Sequence, residues 1–484
     1  MAAESSSAVT ETPSQRLRPN SIGLPGVLFQ SITTMAPASA VSFSLGAAIP
    51  YAGASLPLVV FITFLVCILI ALNISALARH LPSAGGYFTY VSHGLGNHVG
   101  WIAGWLFNLA YILIVPFQLL VLGPVMDSFM QSTFHVSFGA SGWAIWAVVF
   151  AVVIFILTYV GIKISADLGV IVGAIEIIVF VALSIGLIIS AGSQNTAAVF
   201  TPNFSQQPGL GGWQGILFGM IFTVLAFAGF ESAAPLAEES RNPRKTVSRA
   251  ILLATICIGA FYILCSYAGV VGWGVTKIGN YGQNSDPWGT MASRIWGPWQ
   301  ILVILAILNS ALANSNAGVN AATRVLYAMG RTGTLPRILA RLNGFSAPGV
   351  AIILTMVLAV VAALAAGFAF TPLGGFAFLG AVLSVPIILV YMLTCLSVPF
   401  YYRRERPQEW NILRHIVVPV IPLLVLACVL VFQFVPLPAA PLLYVGPIVA
   451  VWLILGIIIV IVLSQRAPAL LLKGQKIYTG EEEE

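Results

Sequence analysis

The chain alternates between long apolar stretches and short polar segments from residue 24 to residue 464. Each apolar stretch has about 20 residues, the length that an α-helix needs to cross the hydrocarbon core of a bilayer. The pattern predicts an all-α, polytopic membrane protein. We predict twelve spans, at residues 24–49, 54–78, 99–123, 143–160, 168–191, 213–236, 250–273, 296–323, 347–368, 376–398, 412–434 and 442–464.

Two spans contain helix-breaking residues that a plain membrane anchor does not need. Span one contains Pro37, and span six contains Gly229. The spans lie five apart, so they correspond if spans one to five and six to ten form two repeats. Five crossings reverse the direction of the chain, so the second repeat would be inverted, as in transporters whose broken helices form a midplane site. An ordinary helix kink and a close helix contact are the alternatives.

This repeat divides the chain into four parts. A polar N-terminal tail covers residues 1–20, and a ten-helix inverted-repeat core covers residues 21–398. Within the core, repeat one covers about 24–191 and repeat two about 213–398. The remaining parts are two additional transmembrane helices at 399–464 and a C-terminal tail at 465–484.

The basic residues predict the orientation, because positive charge marks the cytoplasmic side of a membrane protein. Twelve crossings place both termini on one side, and we expect that side to be the cytoplasm and the membrane to be the plasma membrane. Only Lys277 and Arg294, between spans seven and eight, then fall on the outer side. The cytoplasmic residues are Arg16, Arg18, Arg79, Lys163, Arg241, Arg244, Lys245, Arg249, Arg324, Arg331, Arg337, Arg341, Arg403, Arg404, Arg406, Arg414, Arg466, Lys473 and Lys476.

The composition excludes several classes of protein. Of the 484 residues, 59% are hydrophobic and 7% are charged, against roughly 25% charged in a soluble domain. The net charge of +6 comes from short clusters between spans, so no nucleic-acid-binding face is predicted. The five cysteines lie inside apolar runs without paired spacing, and no HExxH motif occurs. We therefore predict no metal site, no cofactor and no enzymatic activity.

Two of the 15 acidic residues lie within apolar stretches, Glu176 in span five and Glu231 in span six. An ionised carboxylate at mid-depth costs at least roughly 2.5 kcal/mol, and burial favours its protonated form. No Lys or Arg lies at similar depth in these spans, which suggests proton coupling, ion coordination or substrate contact. A protonated glutamate that only fixes helix packing is the alternative.

Span eight offers polar partners to these carboxyl groups. We assign Ser315 and Asn316, together with Glu176 and Glu231, to ion coupling. The preferred coupling ion is a proton, and sodium is the alternative. The polar residues of the span are Asn309, Ser310, Asn314, Ser315 and Asn316.

Unwound backbone in spans one and six could bind a small zwitterion, because free N–H groups bind a carboxylate and free carbonyls bind an ammonium group. Small side chains in span one would let a ligand approach the backbone, and aromatic rings could close the pocket. The small residues are Ala36, Ala38, Ser39 and Ala40, and the aromatic residues are Tyr111, Phe227 and Phe230.

Three motifs resemble the amino acid–polyamine–organocation superfamily of permeases. They are FAGFESAAPLAEESRNPRKTVSRAI at 227–251, NSNAGVNAATRVLYAMGRTGTLPRIL at 314–339 and LPSAGGYFTYVSHGLGNHVGWIAGW at 81–105. The resemblance implies five-plus-five inverted repeats with two further helices. It places the substrate-binding breaks at 35–41 and 226–231, which adds Met35, Ala226, Ala228 and Gly229 to the predicted substrate-binding residues.

The chain departs from this family at two places. The family commonly has a Gly-Ser-Gly-like run where this chain has residues 36–40, and Pro37 lacks an N–H, which favours an amine or a ligand with a displaced carboxylate. Glu176 falls where several proton-coupled relatives carry a lysine at a sodium-site position. A glutamate there could carry a proton or ligate sodium.

The resemblance also implies a gate in which Glu238 joins an ion-pair network with Arg324 or Arg331, although a solvated loop of mixed charge is the alternative. The expected function is secondary active transport of a small amino acid or organic amine, with proton coupling as the preferred mechanism. A sodium-coupled symporter, a substrate exchanger and a non-transporting substrate sensor are the alternatives. The expected partners are this substrate and the lipid bilayer.

Overall fold

The computed structural model describes residues 20–160, 162–207, 209–284, 286–435 and 437–472. These ranges are helical, without a β-strand, and an isolated parallel bridge joins Ile22 to Ser240. Most of both predicted tails lies outside the described residues. The basic residues of the tails that lie outside them are Arg16, Arg18, Lys473 and Lys476.

The α-helices of eight or more residues in the described ranges are numbered here in chain order. They are α1 Leu24–Thr34, α2 Leu45–Ala52, α3 Leu56–His80, α4 Tyr87–Leu95, α5 Asn97–Ile112, α6 Ile114–Phe134, α7 Gly142–Val160, α8 Ile162–Ala191, α9 Trp213–Phe227, α10 Pro243–Trp273, α11 Pro287–Trp296, α12 Ile301–Thr332, α13 Gly349–Glu405, α14 Val418–Phe434 and α15 Val445–Arg466.

Ten helical stretches in the described part are long and apolar enough to cross a membrane. Two of them, Leu24–His80 and Gly349–Glu405, have 57 residues each. A straight helix of that length would extend about 85 Å, nearly three times the thickness of the hydrocarbon core. Both are interrupted, by left-handed backbone at Ala36 and by a φ of 64° at Thr371. The chain is therefore a multi-pass membrane protein, and the count of twelve spans stays a prediction.

The inner helices pack around α12, which contacts α1, α5, α6 and α8. Helix α10 packs along α3 over much of its length and also contacts α1 and α8. Helices α7, α14 and α15 lie outside this group, with exposed apolar side chains such as Ile156, Leu424 and Ile458. An apolar surface of this kind is suited to lipid, so the polar interior is enclosed by the inner helices.

Small residues allow the inner helices to approach closely, as is usual in membrane proteins. Gly94 in α4 is the clearest case, because a Cβ atom there would lie 2.3 Å from Cβ of Ser397 and 2.6 Å from its carbonyl oxygen. Since a backbone atom of α13 occupies the space, a side-chain rotation cannot relieve the clash. The α4–α13 contact therefore requires glycine.

We expect Gly94→Ala to lower the thermal unfolding temperature of the purified protein in detergent. Forced overpacking costs typically about 1–3 kcal/mol. The matched control is Gly279→Ala, since nothing lies within 4 Å of the added Cβ and its φ is not positive. Equal unfolding temperatures for the two variants would show that the α4–α13 contact tolerates a side chain.

Candidate functional site

The first span is broken between α1 and α2. Helix α1 ends at Thr34, and Ala36 adopts a left-handed conformation with φ 48° and ψ 63°. A short helix follows at Pro37–Ser39, and a π-helical turn at Ala40–Ser44 leads into α2. The break lies at the position that the breaker residues of span one predicted.

Few backbone donors remain free after this break. Pro37 has no N–H, and the N–H of Ala38 donates to Oγ of Ser310 at 3.1 Å. The start of a helix normally leaves such N–H groups without intrahelical partners. A ligand carboxylate would therefore compete with Ser310 for a donor here.

The sixth predicted span breaks against the first. Helix α9 ends at Phe227, Ala228 is extended, and Gly229 has a φ of 127°. A Cβ atom on Gly229 would lie 2.6 Å from the carbonyl carbon of Thr34. Both the positive φ and this backbone contact require glycine, so the two breaks touch through their main chains.

Glu231 belongs to the second break and is completely buried. Its Oε2 accepts a hydrogen bond from the N–H of Gly229 at 3.0 Å, and its Oε1 accepts one from the hydroxyl of Tyr111 at 2.6 Å. The ring of Tyr111 stacks on Phe107 with centroids 4.0 Å apart. The carboxyl group thus replaces a helix hydrogen bond that is lost at the break, and it connects the second break to α5.

Tyr262 of α10 connects the two breaks. Its hydroxyl group lies 2.5 Å from the carbonyl oxygen of Met35 and 3.0 Å from that of Ala226, so both carbonyls share this donor. Because the helices end at Thr34 and Phe227, the regular helix hydrogen bonds stop near both carbonyl groups. Tyr262 therefore compensates for interrupting two helices at one place.

Two further side chains pair with carbonyls at the breaks. The amide Nδ2 of Asn314 donates to the carbonyl of Thr34, and Oγ of Ser31 donates to the carbonyl of Phe230 at 2.7 Å. Such pairing is needed because an unsatisfied backbone group in a low-dielectric interior costs several kcal/mol. Side chains of the protein thus satisfy the carbonyl groups that the breaks leave without helix partners.

Glu176 lies on α8 and is 1% exposed. Its Oε2 accepts a hydrogen bond from Nδ2 of Asn309 at 2.6 Å. Ser310 lies beside the carboxyl group, yet Oε1 is buried without a well-formed hydrogen bond to the described residues. Because Ser310 also accepts from the N–H of Ala38, Glu176 is connected to the break in span one through α12.

A cavity of about 30 Å³ lies between the two breaks. It has room for roughly two water molecules, so an amino acid could enter only after the surrounding helices move apart. None of the described residues that line it is charged. The lining residues are Thr34, Met35, Ala36, Ala40, Ser44, Tyr111, Ile114, Phe117, Gln118, Leu225, Ala226, Ala228, Asn314, Leu383 and Ile387.

The predicted substrate-binding residues divide into two groups around this cavity. Those that line it are Met35, Ala36, Ala40, Tyr111, Ala226 and Ala228. Those outside its lining are Ala38, Ser39, Phe227, Gly229 and Phe230. Members of the second group support the breaks: Oγ of Ser39 donates to Gln118 at 3.1 Å, and Phe230 stacks on Tyr391 at 5.5 Å.

The sequence analysis missed Gln118 as a site residue and did not assign Asn314 to the cavity. Gln118 is an isolated amide in the apolar run that follows Tyr111, so the argument applied to the buried glutamates could have identified it. The apolar lining residues carry no such signal, because a cavity wall and a lipid-facing surface have the same composition.

Ser315 and Asn316, which were assigned to ion coupling, do not line the cavity. Oγ of Ser315 donates to the carbonyl of Ala311 in its own helix, and Asn316 is 8% exposed. Three other residues of span eight contact Glu176 or the breaks, namely Asn309, Ser310 and Asn314.

Two ion pairs lie beyond the second break. Glu239 pairs with Arg324 at 2.9 Å, with exposed side-chain fractions of 2% and 1%. Glu238 pairs with Arg331 at 2.8 Å, and its Oε1 also accepts from the N–H of Ala84 at 3.0 Å. The structure thus brings Glu238 to Arg331, whereas Glu239 is the partner of Arg324.

The segment before α1 lies against the same place. The carbonyl of Glu239 accepts hydrogen bonds from the N–H groups of Ser21 and Ile22, and the N–H of Arg241 donates to Ile22. These bonds join the start of the first span to the end of the sixth, so the two broken helices are held together at this end as well.

We expect Tyr262→Phe to destabilise the closed arrangement, since it removes the donor that the carbonyls of Met35 and Ala226 share. Leaving buried polar groups unsatisfied costs about 1–3 kcal/mol. The control is Tyr267→Phe on the same helix, because its hydroxyl bonds only the exposed Asn195 at 3.3 Å. Thermal unfolding in detergent should separate the variants, and equal stability would show that the tyrosine does not stabilise the breaks.

We expect Glu239→Gln to lower stability by about 3–5 kcal/mol, because it leaves Arg324 buried without a counter-charge. The control is Glu405→Gln, which removes an exposed partner of His93 and should cost less than about 1 kcal/mol. Denaturant or thermal unfolding measures both. A neutral effect of Glu239→Gln would mean that water reaches Arg324.

Comparison with known proteins identifies the chain's family. The amino acid permease family model matches residues 26–471. A branched-chain amino acid permease of Lactococcus lactis subsp. cremoris is 27% identical over 73% of this chain and 76% of its own length. An amino-acid permease of Bacillus subtilis is 25% identical over 75% and 78%, and the gamma-aminobutyric acid permease of Escherichia coli is 23% identical over 70% and 73%. These relatives are transporters and not enzymes, and because the match spans nearly the whole chain, the chain belongs to the amino acid permease family.

Proposed function

We propose that this permease is a secondary active transporter that moves a small amino acid or a related organic amine across the plasma membrane by alternating access. One observation supports this most directly: a small cavity lies where two broken helices meet, and each break has a buried carboxyl group nearby. Glu231 bonds the second break, and Glu176 lies beside Ser310, which bonds the first. We further propose twelve crossings, a five-plus-five inverted repeat and cytoplasmic termini.

The cavity chemistry supports a substrate with an uncharged side chain. Its polar groups include the amides of Gln118 and Asn314, and its walls carry Ile114, Leu383 and Ile387. With no charged residue in the described lining, a charged substrate side chain would lack a counter-charge. Two relatives are named for branched-chain amino acids and for gamma-aminobutyric acid, which are small amino acids without charged side chains.

Alternating access requires the cavity to open towards one side of the membrane at a time. In the proposed motion the first two helices of each repeat rock against the other helices. Packing of α10 against both α1 and α3, and the bond of Tyr262 to both breaks, support movement of these helices as one body. The pairs Glu239–Arg324 and Glu238–Arg331 would form the gate at one end, which must separate for that end to open.

The contacts of the two carboxyl groups support the proposal of proton coupling. Glu231 accepts hydrogen bonds from Gly229 and Tyr111. A proton on one of its two oxygen atoms would weaken that oxygen as an acceptor and so loosen the second break. Glu176 has an oxygen without a well-formed partner, where a proton or a sodium ion could bind. Protonation of either residue thus acts on the broken segments that surround the substrate.

The decisive test is uptake by purified protein in liposomes with an imposed inward proton gradient. One pH unit supports about tenfold accumulation per coupled proton, since 1.4 kcal/mol corresponds to a factor of ten. We expect Glu231→Gln or Glu176→Gln to remove the response to the gradient while counterflow exchange persists. The matched control is Glu405→Gln, whose carboxyl group is 40% exposed and which should respond as the wild type does.

Other outcomes would select the alternatives. Uptake that follows a sodium gradient and ignores pH would assign Glu176 to sodium binding. Exchange without dependence on either ion would identify an exchanger. Saturable substrate binding without any vesicle accumulation would support a sensor and would refute transport.

A further inference from the structure

A second, larger cavity lies at the other end of the helix bundle from Glu239–Arg324. Helix α10 begins at Pro243, close to Glu239, and ends at Trp273 after 31 residues, which is about 46 Å of helix. The cavity lies at that far end and has a volume of about 650 Å³. It is formed by the ends of α8 and α10 and by the side of α11, and it is separate from the small cavity at the breaks.

Two basic side chains line this cavity, Lys277 and Arg294. They lie 17 positions apart in the sequence and are the two basic residues that fall outside the predicted cytoplasmic set. Both are exposed, and neither forms an ion pair with an acidic residue in the described ranges. The guanidinium of Arg294 lies over the ring of Trp273 at 5.4 Å, which holds it at the cavity without neutralising its charge.

The sign of this charge selects the ligand. No acidic residue occurs in the lining, so an amine or the ammonium group of a zwitterion would find no counter-charge. A monovalent anion with several oxygen atoms can bind a guanidinium and an ammonium group together. The cavity is therefore suited to a phosphate-like group.

The surroundings of the cavity indicate that this group belongs to a lipid. The lining residues Leu187 and Met291 are buried and form its floor, and Ser190, Ser193 and Gln194 are exposed and form its rim. Trp273 in the lining is of a residue type enriched at the membrane–water interface. An apolar floor below a polar rim matches the boundary between the acyl chains and the headgroup of a phospholipid.

We propose that this cavity binds the headgroup of an anionic phospholipid, with the phosphate between Lys277 and Arg294 and the start of the acyl chains over Leu187 and Met291. The rim hydroxyl and amide groups would bind a hydroxylated headgroup such as glycerol. This site is independent of the transported substrate and of the coupling ion.

The test measures binding of phosphatidylglycerol and phosphatidylcholine to the purified full chain in a zwitterionic detergent by native mass spectrometry. We expect saturable binding of phosphatidylglycerol, weakened roughly fivefold by Lys277→Gln or Arg294→Gln and roughly thirtyfold by the double variant. The matched control is Arg341→Gln/Arg403→Gln, which removes two exposed charges from other segments and should change binding by less than twofold. Thermal unfolding without added lipid verifies that the variants remain folded.

Three results would overturn the proposal. The double variant could bind phosphatidylglycerol as the wild type does, or phosphatidylcholine could bind equally well. In the third result, inorganic phosphate at millimolar concentration would raise the unfolding temperature of the wild type but not of the double variant, and it would displace the lipid. The cavity would then be assigned to a soluble anion. None of these results depends on uptake, so the outcome is distinguishable from failure of the transport proposal.

Discussion

The contact between the main chains of Thr34 and Gly229 is the constraint on which the central site depends. Two helices can be interrupted at the same place inside a membrane only if other groups satisfy the freed N–H and C=O groups. Tyr262, Asn314 and Ser31 supply donors to the carbonyls. The polar residues buried in the inner helices are therefore explained first by the breaks and only then by a ligand.

The same hydrogen bonds influence how a ligand could enter. Asn314 both lines the cavity and pairs with Thr34, and Ala38 is already paired with Ser310. A ligand that binds the backbone of the breaks must replace these internal bonds rather than occupy free groups. Its net binding energy is then the difference between two sets of hydrogen bonds, which makes affinity sensitive to the geometry of the breaks.

Buried acidic side chains have two different environments. Glu239 and Arg324 neutralise each other in close contact, whereas Glu176 has no basic partner in the described part of the chain and one oxygen atom that is poorly satisfied. A buried ion pair contributes little to net stability but is costly to break, so it suits a contact that holds an end closed. A carboxyl group without a counter-charge responds instead to a proton or a cation.

Local sequence was enough to predict the helices, the breaks and the buried carboxyl groups. Hydropathy located the helices, Pro37 and Gly229 located the breaks, and the cost of burying charge singled out Glu176 and Glu231. The structure agrees with the positions of the breaks and with the burial of both glutamates, because these features depend on a residue and its immediate neighbours along the chain. The count of twelve spans and the role in ion coupling stay predictions.

Which residues meet became known only from the three-dimensional packing of the helices. It pairs Arg324 with Glu239, brings Tyr262 to both breaks, places Asn314 rather than Ser315 at the cavity, and gathers Lys277 and Arg294 into one cavity. Hydropathy reports that a residue is buried but not which helix it faces, and nearly uniform apolar helices carry little periodicity to indicate their rotation. The neighbours of each helix are set by close packing across long sequence separations, which a local pattern does not encode.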